Sequence, residues 1–203
     1  LTPSKDRVEP KCPVARQCGG CQIQEMRYEA QLAFKQKMVQ NNLERIGGLS
    51  DFEMYPVIGM ETPYAYRNKA QFPVGEDKDG NIVIGFYAGR THHIVEQTDC
   101  CIGAPENGEV LRKVKAYMQK NQIRPYNEEH HSGIVRHILI RTGYHTKEIM
   151  VCLIVNAAKA SCLKNAEQLT ESLREMDGMT SVMVNFNTEK TNVILGKKSE
   201  VLW

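Results

Sequence analysis

Apolar positions follow two rhythms along the chain, and the change between them marks its main division. Between Gln22 and Ile46 there is no glycine or proline, and Tyr28, Leu32, Val39, Leu43 and Ile46 return near helical spacing. That pattern predicts a helix of about seven turns, stopped by Gly47-Gly48. From residue 54 the period shortens towards two. Met54–Met60 predicts a short apolar strand. Tyr66–Val74 alternates, with Arg67, Lys69 and Gln71 on one side and Ala70, Phe72 and Val74 on the other. Asp77-Lys78-Asp79-Gly80-Asn81 reads as a turn into a partner strand at Ile82–Ala88, and His92–Glu96 as a third strand.

Pro105 can open a helix without losing a needed N–H, and Val110, Leu111, Val114, Tyr117 and Met118 give that helix an apolar stripe as far as Gln122. Strands are predicted at Ile134–Thr142 and Glu148–Asn156, a helix at Leu163–Met176, and closing strands at Thr180–Phe186 and Asn192–Leu195. Hairpins alternating with helices give an α+β fold with largely antiparallel sheets and packed helices, behind an N-terminal cysteine segment and long helix. The break at Gly47–Asp51 divides residues 1–50, the cysteine segment and its helix, from an α+β body at 51–203.

Composition narrows the classes. With 203 residues, 41% hydrophobic and 25% charged, the chain can bury a sizeable core as an ordinary globular protein. A net charge of +2 does not announce a nucleic-acid binder, so any such role must rest on where the cations cluster. No apolar run approaches the roughly 20 residues of a membrane span, and the polar opening Leu1–Pro10 is not a signal peptide. A cytoplasmic, reducing location is the expectation, and a monomer. The seven cysteines, odd in number and unevenly spaced, then read as metal ligands plus bystanders rather than disulfides. Both ends read as cut from a longer protein.

Three of those cysteines, Cys12, Cys18 and Cys21, fall within ten residues, the last two flanking Gly19-Gly20. A fourth ligand is expected at Cys100 or Cys101. An iron–sulfur cluster accepts such uneven spacing with a remote fourth thiolate. A zinc site would more usually pair two C-x2-C half-sites, and a redox pair would need a strand before it. Neighbours in extended chain point oppositely, so only one of Cys100 and Cys101 should ligate. Cys152 in an apolar strand and Cys162 at a helix start read as small buried hydrophobes.

Cations inside strands are the other candidate chemistry. Arg67, Asn68 and Lys69, and Arg136, His137 and Arg141, could hold phosphates and touch unstacked bases. By alternation His137 and Arg141 share a face and Arg136 lies opposite. The paired histidines His92-His93 and His130-His131 lack a metal motif and read as loop residues.

In order along the chain stand Cys12-x5-Cys18-Gly19-Gly20-Cys21-x2-Gln24, Tyr66-Arg67-Asn68-Lys69, Ile84-Gly85-Phe86-Tyr87, Thr91-His92-x-Ile94-Val95 before Cys100, and Arg136-His137-Ile138-x-Ile140-Arg141. Together they resemble the RNA (uracil-5-)-methyltransferases that modify 23S ribosomal RNA, in the form found in Gram-positive bacteria. The resemblance implies a 4Fe-4S cluster on Cys12, Cys18, Cys21 and Cys100, with 23S ribosomal RNA as partner. It also implies an N-terminal barrel and a C-terminal Rossmann-type domain that binds S-adenosylmethionine, both expected to be absent here. The family's reaction adds a cysteine to C6 of uracil, methylates C5 and removes the C5 proton. None of the seven cysteines matches that nucleophile, and no glycine-rich methyl-donor loop is present. The expectation is therefore a cluster-bearing RNA-recognition domain, inactive alone, of an enzyme. The alternative is a zinc-stabilised interaction module.

Overall fold

The computed structural model describes residues 2–203, and in it one seven-stranded sheet collects the β structure. Its strands are β1 (Lys69–Glu76), β2 (Ile82–Tyr87), β3 (Ile94–Glu96), β4 (Val135–Thr142), β5 (Ile149–Val155), β6 (Met179–Phe186) and β7 (Lys198–Val201), in the order β3-β2-β1-β4-β5-β6-β7. Every adjacent pair is antiparallel except β5 and β6. Those two run parallel because α3 (Ala166–Arg174) lies in the crossover between them. The predicted α+β class with largely antiparallel pairing is the observed one.

One face of the sheet is covered. Phe72, Ile84, Ile138, Ile140, Val151, Leu153, Val182 and Val184 form a continuous core with Val110, Leu111, Val114 and Met118 of α2 (Asn107–Lys120) and Leu169 and Leu173 of α3. Alternation along β1 thus sends Ala70, Phe72 and Val74 inward, as the sequence predicts. The other face holds only a small cluster of Leu139, Cys152 and Ile154, with Met150, Met183 and Ile194 partly buried against it.

Strand β4 breaks the alternation. Its pairing with β5 shifts register between Val135 and His137, and both Val135 and Ile138 face the core. Such a bulge places two successive residues against one partner. Arg136 and His137 consequently line the same cleft, instead of lying on opposite faces as strict alternation predicts.

Three other expectations fail for physical reasons. Helix α1 (Tyr28–Asn41) begins later than Gln22, because residues before it make a turn in which Met26 bridges Arg7 and Arg27 N–H donates to Asp6 O at 2.9 Å. Its last turn, Asn42–Ile46, widens to a π-turn closed by Gly47 N–H on Asn42 O. No residue of α1 is buried, and Ile46 beyond it is 83% exposed. Met54–Met60 is not a strand. It runs along α1, tied by Val57 N–H to Gln36 Oε1 at 3.1 Å and Met60 N–H to the Tyr28 hydroxyl at 2.7 Å. Asn192–Leu195 is also loop, since the Asn187 side-chain amide donates to Val193 O and Ile194 O and holds it off the ladder. The closing strand comes later, as β7.

Candidate cysteine centre and basic sheet edge

The N-terminal segment is laced to the sheet at its double glycine. Cys18 bridges Ala88, and Gly19 N–H donates to Tyr87 O at 2.9 Å. A Cβ on Gly19 would stand 3.0 Å from that oxygen and 3.1 Å from Gly89 Cα, so the close approach needs glycine. One turn, with Cys18 N–H on Val14 O at 2.8 Å, lifts Cys18 towards Cys21, and Gly20 N–H lies 3.4 Å from Cys18 Sγ. On the body side Cys100–Gly103 is itself a turn, closed by Gly103 N–H on Cys100 O at 3.0 Å. Ala65 N–H and Arg67 N–H dock on the carbonyls of Cys101 and Ile102 at 3.0 and 2.9 Å.

These ties bring the thiols of Cys12, Cys18, Cys21, Cys100 and Cys101 into one neighbourhood. Gln24 sits at its middle. Its amide oxygen accepts from Cys12 N–H at 3.0 Å, and its Nε2 lies 3.4 Å from Cys101 Sγ and 3.7 Å from Cys21 Sγ. Gln97 Nε2 approaches Cys12 Sγ at 3.7 Å. Cys100 and Cys101 both act on the N-terminal thiols, because a turn lacks the two-sidedness of an extended strand. The extended chain on which the expectation of a single ligating residue rested is a turn here.

Burial pushes the thiols of Cys18, Cys21 and Cys101 up, and the charges of their neighbouring thiols push them further. Opposing this, Gly20 N–H and the Arg67 guanidinium hold Cys18 down, and Gln24 does so for Cys101. A crowd of thiols that resist ionising together is a donor set that suits a cationic, thiophilic group, which would relieve their repulsion. Among the described residues no three His, Cys, Asp or Glu side chains close on a point as a single metal ion requires. Cys152, by contrast, is buried in β5 with its thiol pushed up to about 11 by desolvation, and Cys162 lies in a short 3₁₀ turn. Both keep the hydrophobic role read from sequence.

The six basic-strand candidates separate into three groups. Asn68, Lys69 and Arg141 line one shallow depression of about 360 Å³ at the end of β1 and β4, beside Met150 and Ser181. Lys69 and Arg141 are direct cross-strand partners, and neither forms an ion pair among the described residues. Like charges placed opposite each other destabilise a sheet unless an anion joins them. Arg67 stands apart, bridged to Gly103 and close enough to favour the Cys18 thiolate.

Arg136 does not reach solvent as a contact to a surface phosphate would. It is 5% exposed, and its guanidinium donates to Asn187 O at 2.9 Å, Glu189 O at 2.7 Å and Thr191 O at 3.3 Å while lying 4.5 Å over the Tyr126 ring. Its charge braces the loop after β6. His137 is 8% exposed; burial, and then Arg136, push its imidazole down to about 4, so it is neutral near pH 7 and offers no cation to a phosphate. Tyr87 and Glu128, which line the cleft with His137, were not singled out as chemistry by the sequence. Tyr87 stands in the sequence only as the end of the Ile84–Tyr87 motif, and the loop carboxylate Glu128 belongs to none.

No protein-family model matches the sequence. The chain is 43% identical over 204 residues to an uncharacterized RNA methyltransferase of Clostridium tetani, all of this chain matching 43% of that protein. It is 46% identical over 201 residues to another from Halalkalibacterium halodurans, with 98% of this chain and 43% of that protein covered. The chain thus spans less than half the length of these relatives. Among solved structures it resembles Pyrococcus abyssi tRNA (uracil-54, C5)-methyltransferase in complex with S-adenosyl-L-homocysteine. There the TM-score is 0.71 at 25% identity, over 97% of this chain and 42% of the other.

Proposed function

We propose, from the premise that this chain is homologous along its length to part of proteins named RNA methyltransferases, that it is the RNA-recognition domain of an S-adenosylmethionine-dependent RNA uracil-5 methyltransferase. The whole-length match carries the reading. The substrate we infer is 23S ribosomal RNA, on the ordered motifs from Cys12 to Arg141. The methyl donor and the attacking cysteine belong to chain outside these residues, so this portion alone binds RNA without methylating it. No helix is long and apolar enough to cross a membrane, and the proposed place of work is the cytoplasm.

Two local arrangements support the proposal. Lys69 and Arg141, facing each other across β1 and β4 with neither ion-paired among the described residues although Glu148 lines the same depression, form a phosphate seat with Asn68 at its edge. The thiols of Cys12, Cys18, Cys21 and Cys100 would hold a 4Fe-4S cluster, whose size suits thiols presented by two separate turns. Such a cluster would bind the N-terminal segment to the sheet; Cys101, Gln24 and Gln97 would surround it. Zinc at the same thiols is the competing occupant.

The test is made on anaerobically purified protein. Iron and sulfide should be present in wild type, and Cys18→Ser should lose iron and melting temperature together. Full iron with an unchanged melt in that variant, or zinc in the wild type, would refute the cluster. For RNA, Lys69→Ala/Arg141→Ala should weaken binding to a ribosomal hairpin and flatten its salt dependence by roughly 1.4 log units per log unit of salt, two single-strand phosphates at about 0.7 each. An unchanged slope would remove these residues from the interface.

A further inference from the structure

The cleft above the bulge of β4 has no part in either arrangement. It has a volume of about 450 Å³, within the range of about 300–1,000 Å³ typical of small-ligand sites. Arg136 and His137 form part of its wall, each more than nine-tenths buried, and both carry an orphan: Arg136 Nε and His137 Nδ1 are buried without a hydrogen-bond partner. Buried polar atoms of this kind are rare in folded proteins and call for a partner.

On another wall the rings of Tyr87 and His92 stack at 5.0 Å, 21° from parallel, and Tyr87 stands edge-on to His137 at 6.5 Å. Glu128 locks that aromatic pair, accepting from Tyr87 Oη at 3.3 Å and meeting His92 Nδ1 at 2.5 Å. Glu129 beside it forms no ion pair among the described residues.

This chemistry selects its ligand. The acidic rim formed by Glu128, Glu129, Glu76 and Asp77 repels phosphate, so the cleft does not continue the Lys69–Arg141 seat. A flat group stacks on the aromatic pair, N–H donors suit the carboxylates, and an acceptor suits Arg136 Nε, which can only donate. Guanine presents adjacent N1–H and N2–H donors beside its O6 acceptor, whereas uracil has one ring N–H and adenine offers a single amino donor beside its N1 acceptor, with no ring N–H to form the paired donors. His137, neutral in its buried setting, can adopt whichever tautomer the base requires.

We propose that this cleft captures an unstacked guanine of the bound RNA, stacked on Tyr87–His92 and read by Glu129 and the Arg136–His137 wall. The inference rests on the reading that the chain binds RNA. It would make part of the choice of substrate a matter of one splayed base at the opposite end of β1 and β4 from the phosphate seat.

The experiment uses single-stranded heptamers, all-uridine or with a central G or A, titrated by fluorescence anisotropy, and free guanosine titrated by NMR against labelled histidines. The G heptamer should bind about tenfold more tightly than the other two, in the range of a good base contact. Glu129→Gln and His92→Ala should abolish that preference and leave the all-uridine affinity unchanged. Guanosine, but not adenosine, should shift the His92 and His137 signals. Equal affinity for the three heptamers with no guanosine shift would overturn the pocket and leave the phosphate seat standing. Failure of every heptamer to bind would overturn the phosphate seat, and the guanosine shifts alone would then decide the pocket.

Discussion

Replacing Arg136 with Met separates a brace from a phosphate contact. The change removes a guanidinium that is 5% exposed and donates to three main-chain carbonyls of the loop from Asn187 to Thr191. Only the bond to Asn187 O is fully buried; the other two carbonyls are part-buried and can turn to water. A hydrogen bond from a charged donor is worth about 1.5–3 kcal/mol, and a rehydrated carbonyl costs less. Removing a buried, partly unsatisfied charge returns some of that loss, since Nε has no partner. A net destabilisation of about 2–4 kcal/mol follows. In a domain of this size that lowers Tm by roughly 5–15 °C. Arg136→Lys should recover less than half, because an ammonium cannot fork across carbonyls that lie apart. Calorimetric melts of the three proteins, with the salt dependence of RNA binding measured below Tm, make the comparison. A Met variant that melts within about 2 °C of wild type, less than half of the smallest shift expected, while its salt slope falls would refute the brace and restore Arg136 as a phosphate contact.

Two further outcomes follow from the same region. The folded His137 imidazole titrates near 4 against an ordinary 6.5, so the unfolded chain takes up the extra proton first. Its contribution is therefore complete above pH 6.5, declines as pH falls from 6.5 to about 4, and levels off below, a loss on the order of 3 kcal/mol. Tm measured against pH should show that decline in wild type and a flatter curve in His137→Asn; parallel curves would count against it. Lys69→Glu should turn a like-charge cross-strand pair into an opposite one, raising stability by about 0.2–1 kcal/mol while weakening RNA binding. Loss of stability in that variant would mean that Lys69 and Arg141 do not repel each other.

What could be read from the chain depended on how local its cause was. The inward face of β1 and the buried stripe of α2 follow from periodicity alone, because each position answers to one core. Met54–Met60 has the composition of a strand, but a strand exists only with a partner, and here Gln36 and Tyr28 of α1 take its N–H groups instead. The bulge at Arg136 leaves no mark in the sequence, since it arises from how β4 meets β5. It moved Arg136 from an expected surface cation to an interior brace. At the cysteines, thiol chemistry pointed residues 12–21 towards Cys100 or Cys101. The nearness of both together was not legible, because it depends on a turn where extended chain was expected.

The separation between the two cysteine turns also sets an order of events at the ribosome. Cys21 and Cys100 are 79 residues apart. At synthesis rates of about 5–20 residues per second, the first three thiols wait roughly 4–16 s before their distant partners exist. For most of that interval Cys12, Cys18 and Cys21 have neither the carbonyl of Tyr87 to dock on nor the amide of Gln97 beside them. The nascent chain is then at its most open to oxidation and, on the proposed cluster, to capture of zinc in place of iron, so growth in oxidant or excess zinc should damage new protein well before it harms protein already folded.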